Sequence, residues 1–243
     1  MSMIPKIIHY CWFGHGEMPE LVQNCIASWH THMPDWEYRL WTEDNFDITS
    51  SPAYVQEAYA AKKFAFVSDY VRLWALEREG GLYMDVDFEV YKPFDDLMDE
   101  YDAFAGYEGS KRNPVMMGVI AAKAHHLWVL GMMQTYQDRS FLSSDGSLDM
   151  TPNTSYFLQW MQSFGFIADG KEKDFMGIHI LPVEYFCPTL TTGEYLRCDK
   201  TYCEHKGLHS WSDDGGWKTK IMKMVGPVWK SRLIKFKRKL FGR

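Results

Sequence analysis

The stretch GGLYMDVDFEVYKP, from Gly80 to Pro93, runs an apolar strand directly into two aspartates, Asp85 and Asp87. Side chains alternate between the faces of a strand, so the aspartates are predicted to leave one face while Val86 turns towards the interior. Two carboxylates on one face repel each other unless solvent or a cation lies between them. A D-x-D pair by itself is more often a solvated loop feature. The apolar approach and the glycine turn favour a cleft, where two hard oxygen ligands suit Mg²⁺ or Mn²⁺.

The composition and pattern of the chain predict one α/β domain. With 243 residues, 46% of them apolar and 16% aromatic, the chain is long enough for a substantial core and too apolar to be disordered. Strand, helix and strand patterns at 6–13, 20–32 and 37–42 predict parallel pairing with a right-handed crossover. In such sheets ligands bind at the carboxyl ends of strands, so we expect Trp12 and the two aspartates to face one cleft. Further helices are predicted at 52–61, 66–79, 125–137 and 155–164, further strands at 101–108 and 114–123, and a late strand with its exit loop at 176–188.

Charge is distributed unevenly along the chain. Residues 218–243 hold ten of the 26 Lys and Arg and none of the 32 Asp and Glu, which leaves residues 1–217 with a net charge of −16. The segment 228–241 places apolar side chains on one stripe among basic ones, the pattern of an amphipathic helix that binds an anionic membrane surface. Docking on the acidic body of the same chain is the alternative. Nucleic acid is disfavoured, because that body repels phosphate.

The cysteine content and the hydropathy of the chain indicate the cellular compartment of the protein. The five cysteines are an odd set, no amino-terminal segment has the apolar core of a signal peptide, and no run approaches the roughly 20 apolar residues that span a bilayer. These features favour a cytoplasmic protein with at most peripheral membrane contact. Cys198, Cys203, His205 and His209 have an unfamiliar spacing for zinc, so a structural zinc site is disfavoured.

Three further side chains have both a structural and a functional interpretation. Asp69 and Arg72 stand at i and i+3 of a helix, where they form either a surface ion pair of little consequence or a pair that binds sugar hydroxyls and phosphate. Trp12 is either a core residue or a platform on which a nucleobase stacks. The spacing alone leaves these alternatives open.

Taken together, the motifs resemble glycosyltransferase family 32, the sugar transferases with a D-x-D motif, and its bacterial capsule and surface-polysaccharide members in particular. The segments that carry the resemblance are IPKIIHYCWFG at 4–14, Ser28-Trp29, the W-x-E-x-N of 41–45, AFVSDYVRLWALEREGGLYMDVDFEVYKP at 65–93, and His209-Ser210-Trp211. The resemblance implies a GT-A fold, a single Rossmann-like domain with a mostly parallel sheet over residues 1–217, followed by a basic amphipathic helix in 218–243.

The resemblance also implies a set of site residues around a UDP-sugar donor and a Mn²⁺ or Mg²⁺ ion. Trp12 would stack on uracil, Asp69 and Arg72 would hold the donor sugar and the phosphate side, and Tyr83 would lie close by. Asp85 would touch ribose, or the metal through water, and Asp87 would bind the metal directly.

In the second half of the chain the resemblance is sparser. His209, Ser210 and Trp211 would close over the diphosphate, with His209 as a further metal ligand. Residues 151–153 match the family's T-G-P block imperfectly, because Asn153 and the absent glycine depart from it. The acceptor-side residues are therefore left open.

The function implied is retaining transfer of a hexose or N-acetylhexosamine to a glycan, with Asp69, Arg72, Asp85 and Asp87 in catalytic roles. The acceptor would be a polyprenyl-linked oligosaccharide at the inner face of the cell membrane, in capsule or O-antigen synthesis. The alternatives are a metal-dependent phosphohydrolase and a non-catalytic carbohydrate- or membrane-binding module. A two-carboxylate hydrolase would need a second acid such as Glu89 or Glu108, but no paired motif supports one.

Overall fold

The computed structural model describes residues 3–110 and 113–207. The strands are β1 Ile7–Cys11, β2 Glu37–Trp41, β3 Gly81–Met84, β4 Phe88–Val90, β5 Ala103–Tyr107, β6 Val115–Ala122, β7 Lys173–Phe175, β8 Ile178–Leu181 and β9 Cys203–His205. The helices are α1 Glu20–His32, α2 Ala53–Ala60, α3 Phe64–Glu79, α4 Asp95–Glu100, α5 Leu127–Gln134 and α6 Asn153–Ser163. Short 3₁₀ turns lie at Ile48–Ser50 and Val183–Tyr185. The predicted basic helix in 218–243 and the motif at 209–211 lie outside the described residues.

Seven strands form one mixed sheet in the order β2-β1-β3-β6-β5-β8-β7. β1 pairs parallel with β2 and β3, and β5 pairs parallel with β8, whereas β6 and β7 run against their neighbours. The predicted α/β class with a mostly parallel sheet is therefore confirmed. A separate antiparallel pair, β4 with β9, lies outside the main sheet. The pairing of β4 with β9 was not predicted, and neither were β7, β9 and α4, because elements of three to six residues show no clear periodicity.

The expected continuous strand through the two aspartates is wrong. β3 ends at Met84, and the next three residues form a turn closed by a hydrogen bond from the Phe88 amide to the Asp85 carbonyl (3.2 Å). β4 then leaves the main sheet to pair with β9. Asp85 and Asp87 are thus placed by a turn between two sheets, and Val86 is only half-buried.

The main sheet carries a hydrophobic core on each face. Leu82 of β3 packs in the core that holds Trp29 of α1, whereas the next residue, Tyr83, packs in the core that holds Val67 and Val71 of α3. This alternation along β3 is what a strand covered on both faces requires. Because of this alternation Tyr83 faces α3, the helix that carries Asp69 and Arg72.

His9 is wholly buried in β1, and both of its ring nitrogens have partners. Trp41 Nε1 donates to Nδ1 (3.2 Å), and Nε2 lies 2.8 Å from the Gly80 carbonyl oxygen. Because the indole N–H is only a donor, Nδ1 must accept and Nε2 must carry the proton. Burial lowers the pKa of His9, against the hydrogen bond to Gly80, which raises it. The native state therefore holds a neutral imidazole.

We expect this histidine to contribute to acid sensitivity. Its folded-state pKa lies below the ordinary value of 6.5, so below that pH the unfolded chain binds more protons and the free energy of unfolding falls as the pH falls. The His9→Gln variant should have a lower free energy of unfolding than the wild type at pH 7. Between pH 7 and 5 its free energy of unfolding should fall less than that of the wild type. Urea unfolding of both proteins at each pH measures the difference, and parallel pH slopes would contradict the prediction.

Candidate functional site

A cavity of about 680 Å³ opens at the carboxyl ends of β1 and β3. The predicted site residues within the described chain all line it: Trp12, Asp69, Arg72, Tyr83, Asp85 and Asp87. They come from the ends of two strands and from α3, elements that the sheet order brings side by side. The positions of His209, Ser210 and Trp211 lie outside the described residues.

Arg72 is the centre of the site. Its side chain is only 5% exposed, and Nη2 donates to Asp69 Oδ1 (2.6 Å) and lies 3.4 Å from Asp85 Oδ1. Nη1 donates to the Met117 carbonyl, and the guanidinium carbon lies 4.6 Å from the centre of the Tyr83 ring. The surface ion pair considered for Asp69 and Arg72 is thus wrong, because the pair is buried. The guanidinium joins α3, β6 and the turn after β3.

Burial sets the acidity of the two carboxylates bonded to this guanidinium. It raises the pKa of Asp69 to about 6 and also raises the pKa of Asp85, and in each case the positive charge of Arg72 opposes the shift. Tyr83 donates its hydroxyl hydrogen to Asp85 Oδ1 (2.7 Å), which further favours the ionised form of that carboxylate. One oxygen of Asp85 is therefore held by the protein.

Asn153 is a site residue that the sequence analysis left open. It begins α6, is buried, and donates from Nδ2 to Asp69 Oδ1 (2.7 Å). The residue that departs from the expected T-G-P pattern thus binds the same carboxylate oxygen as Arg72. In the sequence, Asn153 was indicated by its position in the segment 151–153, which matches the T-G-P block imperfectly.

His205 was considered in the sequence only as part of an unlikely zinc motif, yet it lines this cavity. It ends β9 opposite Phe88, and its Nε2 lies 3.0 Å from Asp87 Oδ2. Burial lowers the pKa of His205, but the carboxylates of Asp87, Asp85 and Glu108 together raise it by more, so the net shift is upward. The pairing of β9 with β4, which sequence periodicity did not reveal, is what brings this ring to the aspartate.

The turn that carries the aspartates is anchored from α1. Trp29 Nε1 donates to the Phe88 carbonyl (2.7 Å), and Ser28 Oγ accepts a hydrogen bond from the Val90 amide (2.9 Å). The Ser28-Trp29 motif therefore fixes the backbone of β4, immediately after Asp87. Its role is to hold the turn, and neither residue lines the cavity.

Trp12 is half-buried at the end of β1, where the following loop folds back over the amino end of α3. Its Nε1 donates to the Gly16 carbonyl (2.6 Å), and the Gly14 amide donates to Glu43 Oε1 (2.6 Å). Gly14 has φ +96° and presses on the Phe64 ring, so a side chain there would clash. The indole is thus held at the cavity wall, as a stacking platform requires and as a core residue does not.

The donor set at the aspartates fits a hard divalent cation. Within the described residues no group of three or more His, Cys, Asp or Glu is arranged to enclose a metal. Mg²⁺, however, is typically bound by one or two carboxylates, with phosphate and water completing its shell. Gly118, which has no side chain, lies directly beside Asp85. A Cβ at this position would lie 2.7 Å from Asp85 Oδ2 and 2.8 Å from Phe88 Cε2. Asp85 and Asp87 are the residues that would hold such an ion.

A family model and several curated relatives match the part of the chain that carries most of the site residues. Residues 19–104, just over a third of the chain, match the family model described as "Glycosyltransferase sugar-binding region containing DXD motif". Inositol phosphoceramide mannosyltransferase 1 of Schizosaccharomyces pombe is 31% identical over 108 residues, which is 40% of this chain and 32% of that protein. Inositol phosphoceramide mannosyltransferase 3 of the same yeast is 33% identical over 100 residues, 40% of this chain and 28% of that protein. The chain spans about a third of the length of these relatives.

Among solved structures, the galactosyltransferase LgtC in complex with donor and acceptor sugar analogues aligns with a TM-score of 0.45 and 13% identity, over 82% of this chain and 86% of that one.

We expect Gly118→Ala to disturb the aspartate turn. The added methyl group would displace the Asp85 carboxylate and the Phe88 ring, because no real Cβ approaches other atoms as closely as 2.7 Å. Titration with Mn²⁺ should show an affinity at least tenfold weaker than that of the wild type. Val119→Ala, on the same strand, is the control: it opens a cavity in the core that holds Phe88 and lowers stability, by roughly 1–3 kcal/mol, without filling the space beside Asp85. Equal Mn²⁺ affinity in wild type and Gly118→Ala would contradict the prediction.

Proposed function

We propose that this protein is a metal-dependent, retaining glycosyltransferase of GT-A architecture. It moves a hexose or N-acetylhexosamine from a nucleotide-sugar, with UDP-sugars as the preferred donors, to a glycan acceptor. The observation that carries the proposal is the convergence of Trp12, the Asp69–Arg72 pair and the two turn aspartates on one cavity. The family-model match supports it, since residues 19–104 include all of these except Trp12.

The chemistry required is stabilisation of a departing nucleoside diphosphate. A Mn²⁺ or Mg²⁺ ion held by Asp85 and Asp87 would supply positive charge for the leaving group. The chain's own part is to keep those carboxylates in place. Arg72 and Tyr83 fix one oxygen of Asp85, and His205 fixes one oxygen of Asp87. Groups already oriented before the reaction need no reorganisation during it, which is the main source of electrostatic catalysis.

Arg72 acts in this proposal mainly by positioning. Its guanidinium is buried and bonds to Asp69 and to the Met117 carbonyl, so it is less accessible to phosphate than the sequence pattern suggested. Lys62 and Lys63, at the amino end of α3, also line the cavity on the side of Trp12. They give that side a positive charge suited to a nucleotide diphosphate.

The positions of Glu89 and Glu108 are consistent with transfer that retains the anomeric configuration of the sugar without a protein nucleophile. Glu89 of β4 forms an ion pair with Lys206, the residue after β9, whereas Glu108 lines the cavity. The two-carboxylate hydrolase arrangement is therefore not assembled from this pair. The proposal has the acceptor hydroxyl attack on the face from which the diphosphate leaves.

The identity of the donor sugar is part of the proposal. Relatives that share the central segment are named mannosyltransferases, which makes mannose a leading candidate among the hexoses. A panel of UDP-, GDP- and CMP-sugars, with Mn²⁺ or with EDTA, resolves both the nucleotide and the sugar.

We expect Asp87→Asn to lose metal-dependent nucleotide release from the active donor by at least 100-fold, because an amide is a far weaker ligand for a hard cation than a carboxylate. Asp99→Asn, on the exposed side of α4, is the matched control and should retain wild-type turnover. Nucleotide release is measured by coupled assay and folding by circular dichroism. Undiminished release in a folded Asp87→Asn protein would refute the metal role, and release of phosphate from simple esters instead would favour the phosphohydrolase.

The proposal places the acceptor on a lipid carrier, polyprenyl-linked, and assigns residues 218–243 to an anionic membrane surface. In residues 3–110 and 113–207 there is no helix with the length and hydropathy to cross a membrane. The basic residues and apolar stripe of 228–241 are the features that support surface binding.

Deletion of residues 218–243 should release the protein from vesicles that contain anionic lipid, while nucleotide release in solution stays within about twofold of wild type. Loss of roughly ten positive charges removes most of the electrostatic attraction, at about 1 kcal/mol per charge near the surface. Co-sedimentation with phosphatidylserine vesicles and with neutral vesicles measures the effect. Unchanged sedimentation with anionic vesicles would refute the assignment.

A further inference from the structure

Glu108 follows the last residue of β5 and lines the cavity, but the function proposed above gives it no role. In the sheet, β5 is separated from β1 by β3 and β6. Three strand spacings amount to about 14 Å. β1, β3 and β5 run in the same direction, so the residues that follow them lie along one edge: Trp12 first, Asp85 in the middle and Glu108 last.

The carboxylate is held on a rigid support. The Glu108 amide donates to the Pro114 carbonyl (3.0 Å), closing the loop between β5 and β6. Gly109, with φ +75°, lies so close to the next segment that a Cβ would stand 2.6 Å from Val183 and 2.8 Å from Leu190. The backbone after Glu108 is therefore wedged in place, which fixes where its side chain leaves the chain.

Glu108 has fewer hydrogen-bond partners than Glu204, a buried glutamate of the described residues. Glu204 accepts hydrogen bonds from Tyr91 (2.7 Å), Thr189 (2.7 Å) and Lys206 (3.1 Å), which saturate it as a structural carboxylate. For Glu108, within residues 3–110 and 113–207, the hydrogen-bonding side chain is Thr154. A carboxylate has about four acceptor sites, and Glu108 is half-buried at the cavity wall, where a ligand can reach it. Glu108 therefore retains capacity to bind donors from a ligand.

We propose that Glu108 binds a hydroxyl group of the acceptor, and that the acceptor unit at this position is a neutral polyhydroxylated ring. The proposal rests on the glycosyltransferase function proposed above. If the base occupies the side of Trp12 and the diphosphate the middle, the third position along the edge is where the attacking substrate must lie.

The surroundings of Glu108 define the chemistry of that ring. The cavity that Glu108 lines includes the apolar, buried residues Pro114, Met116 and Leu158, while Thr154 and His205 interact with the carboxylate itself. Such a wall packs on the C–H face of a sugar while the carboxylate accepts from its hydroxyls. An anionic ring would meet the negative charge of Glu108 at this position, so uronic acids are disfavoured.

The test separates donor chemistry from acceptor binding. Wild type, Glu108→Gln and Glu172→Gln are compared in nucleotide release without acceptor, and in transfer to methyl α-mannopyranoside and to a methyl glucuronide. Glu172 is an exposed acid next to β7 and serves as the matched control. Saturation-transfer NMR with the mannoside measures acceptor binding independently of turnover.

In Glu108→Gln we expect nucleotide release within twofold of wild type, a KM for the mannoside raised about tenfold, and a weaker NMR signal. A hydrogen bond to a charged acceptor is roughly twice as strong as one to a neutral acceptor, which sets this size. The preference for mannoside over glucuronide should also fall, because the repulsion is removed. A merely structural role would not change that preference.

Other outcomes overturn the inference in distinguishable ways. Unchanged transfer in Glu108→Gln, or equal losses of release and transfer, would remove Glu108 from the acceptor position. Wild-type nucleotide release with no transfer or binding of the mannoside would refute the neutral-ring assignment alone. Absence of nucleotide release from every donor in the wild type would refute the transferase function itself.

Discussion

The buried ion pair between Arg72 and Asp69 is the interaction on which the rest of the site depends. Arg72 is 4% exposed and bonds to groups from α3, from β6 and from the turn after β3. Removing one partner from such a pair leaves an uncompensated charge in a low-dielectric interior, at a cost of about 3–5 kcal/mol. The pair therefore fixes three elements at one point, and Asp85 takes its position from it.

The second constraint is the small sheet of β4 and β9. It takes the chain away from the main sheet after Asp87 and returns His205 to the same aspartate. Hydrogen bonds from Trp29 and to Ser28 hold β4 from the other side. The turn aspartates are thus held from α1, α3 and β9 together, which explains how two neighbouring carboxylates are kept on one cavity wall despite their repulsion.

The cavity has an ordered distribution of charge. The side near Trp12 carries Lys62 and Lys63, the middle carries the turn aspartates, and the end after β5 carries Glu108, whose carboxylate interacts with Thr154 and His205. Such a sequence of basic, acidic and mixed surfaces suits an elongated ligand whose anionic group lies between the lysines and a cation held by the aspartates, and whose far end is neutral. A nucleotide-sugar with its base towards Trp12 and its diphosphate beside that cation, followed by the acceptor, fits this order.

The sequence by itself determined the α/β class and the long helices and, through the family resemblance, named Trp12, Asp69, Arg72, Asp85 and Asp87 as candidate site residues, because helix and strand periodicity and short motifs are local properties of the chain. Only the tertiary structure decided that the aspartates stand on a turn, that Asp69 and Arg72 are buried, and that Asn153 and His205 join them. These contacts link residues 69 and 153, or 87 and 205, and depend on pairing between distant strands and helices. No local pattern records such pairing, because burial and partner choice are set by the packing of the whole domain.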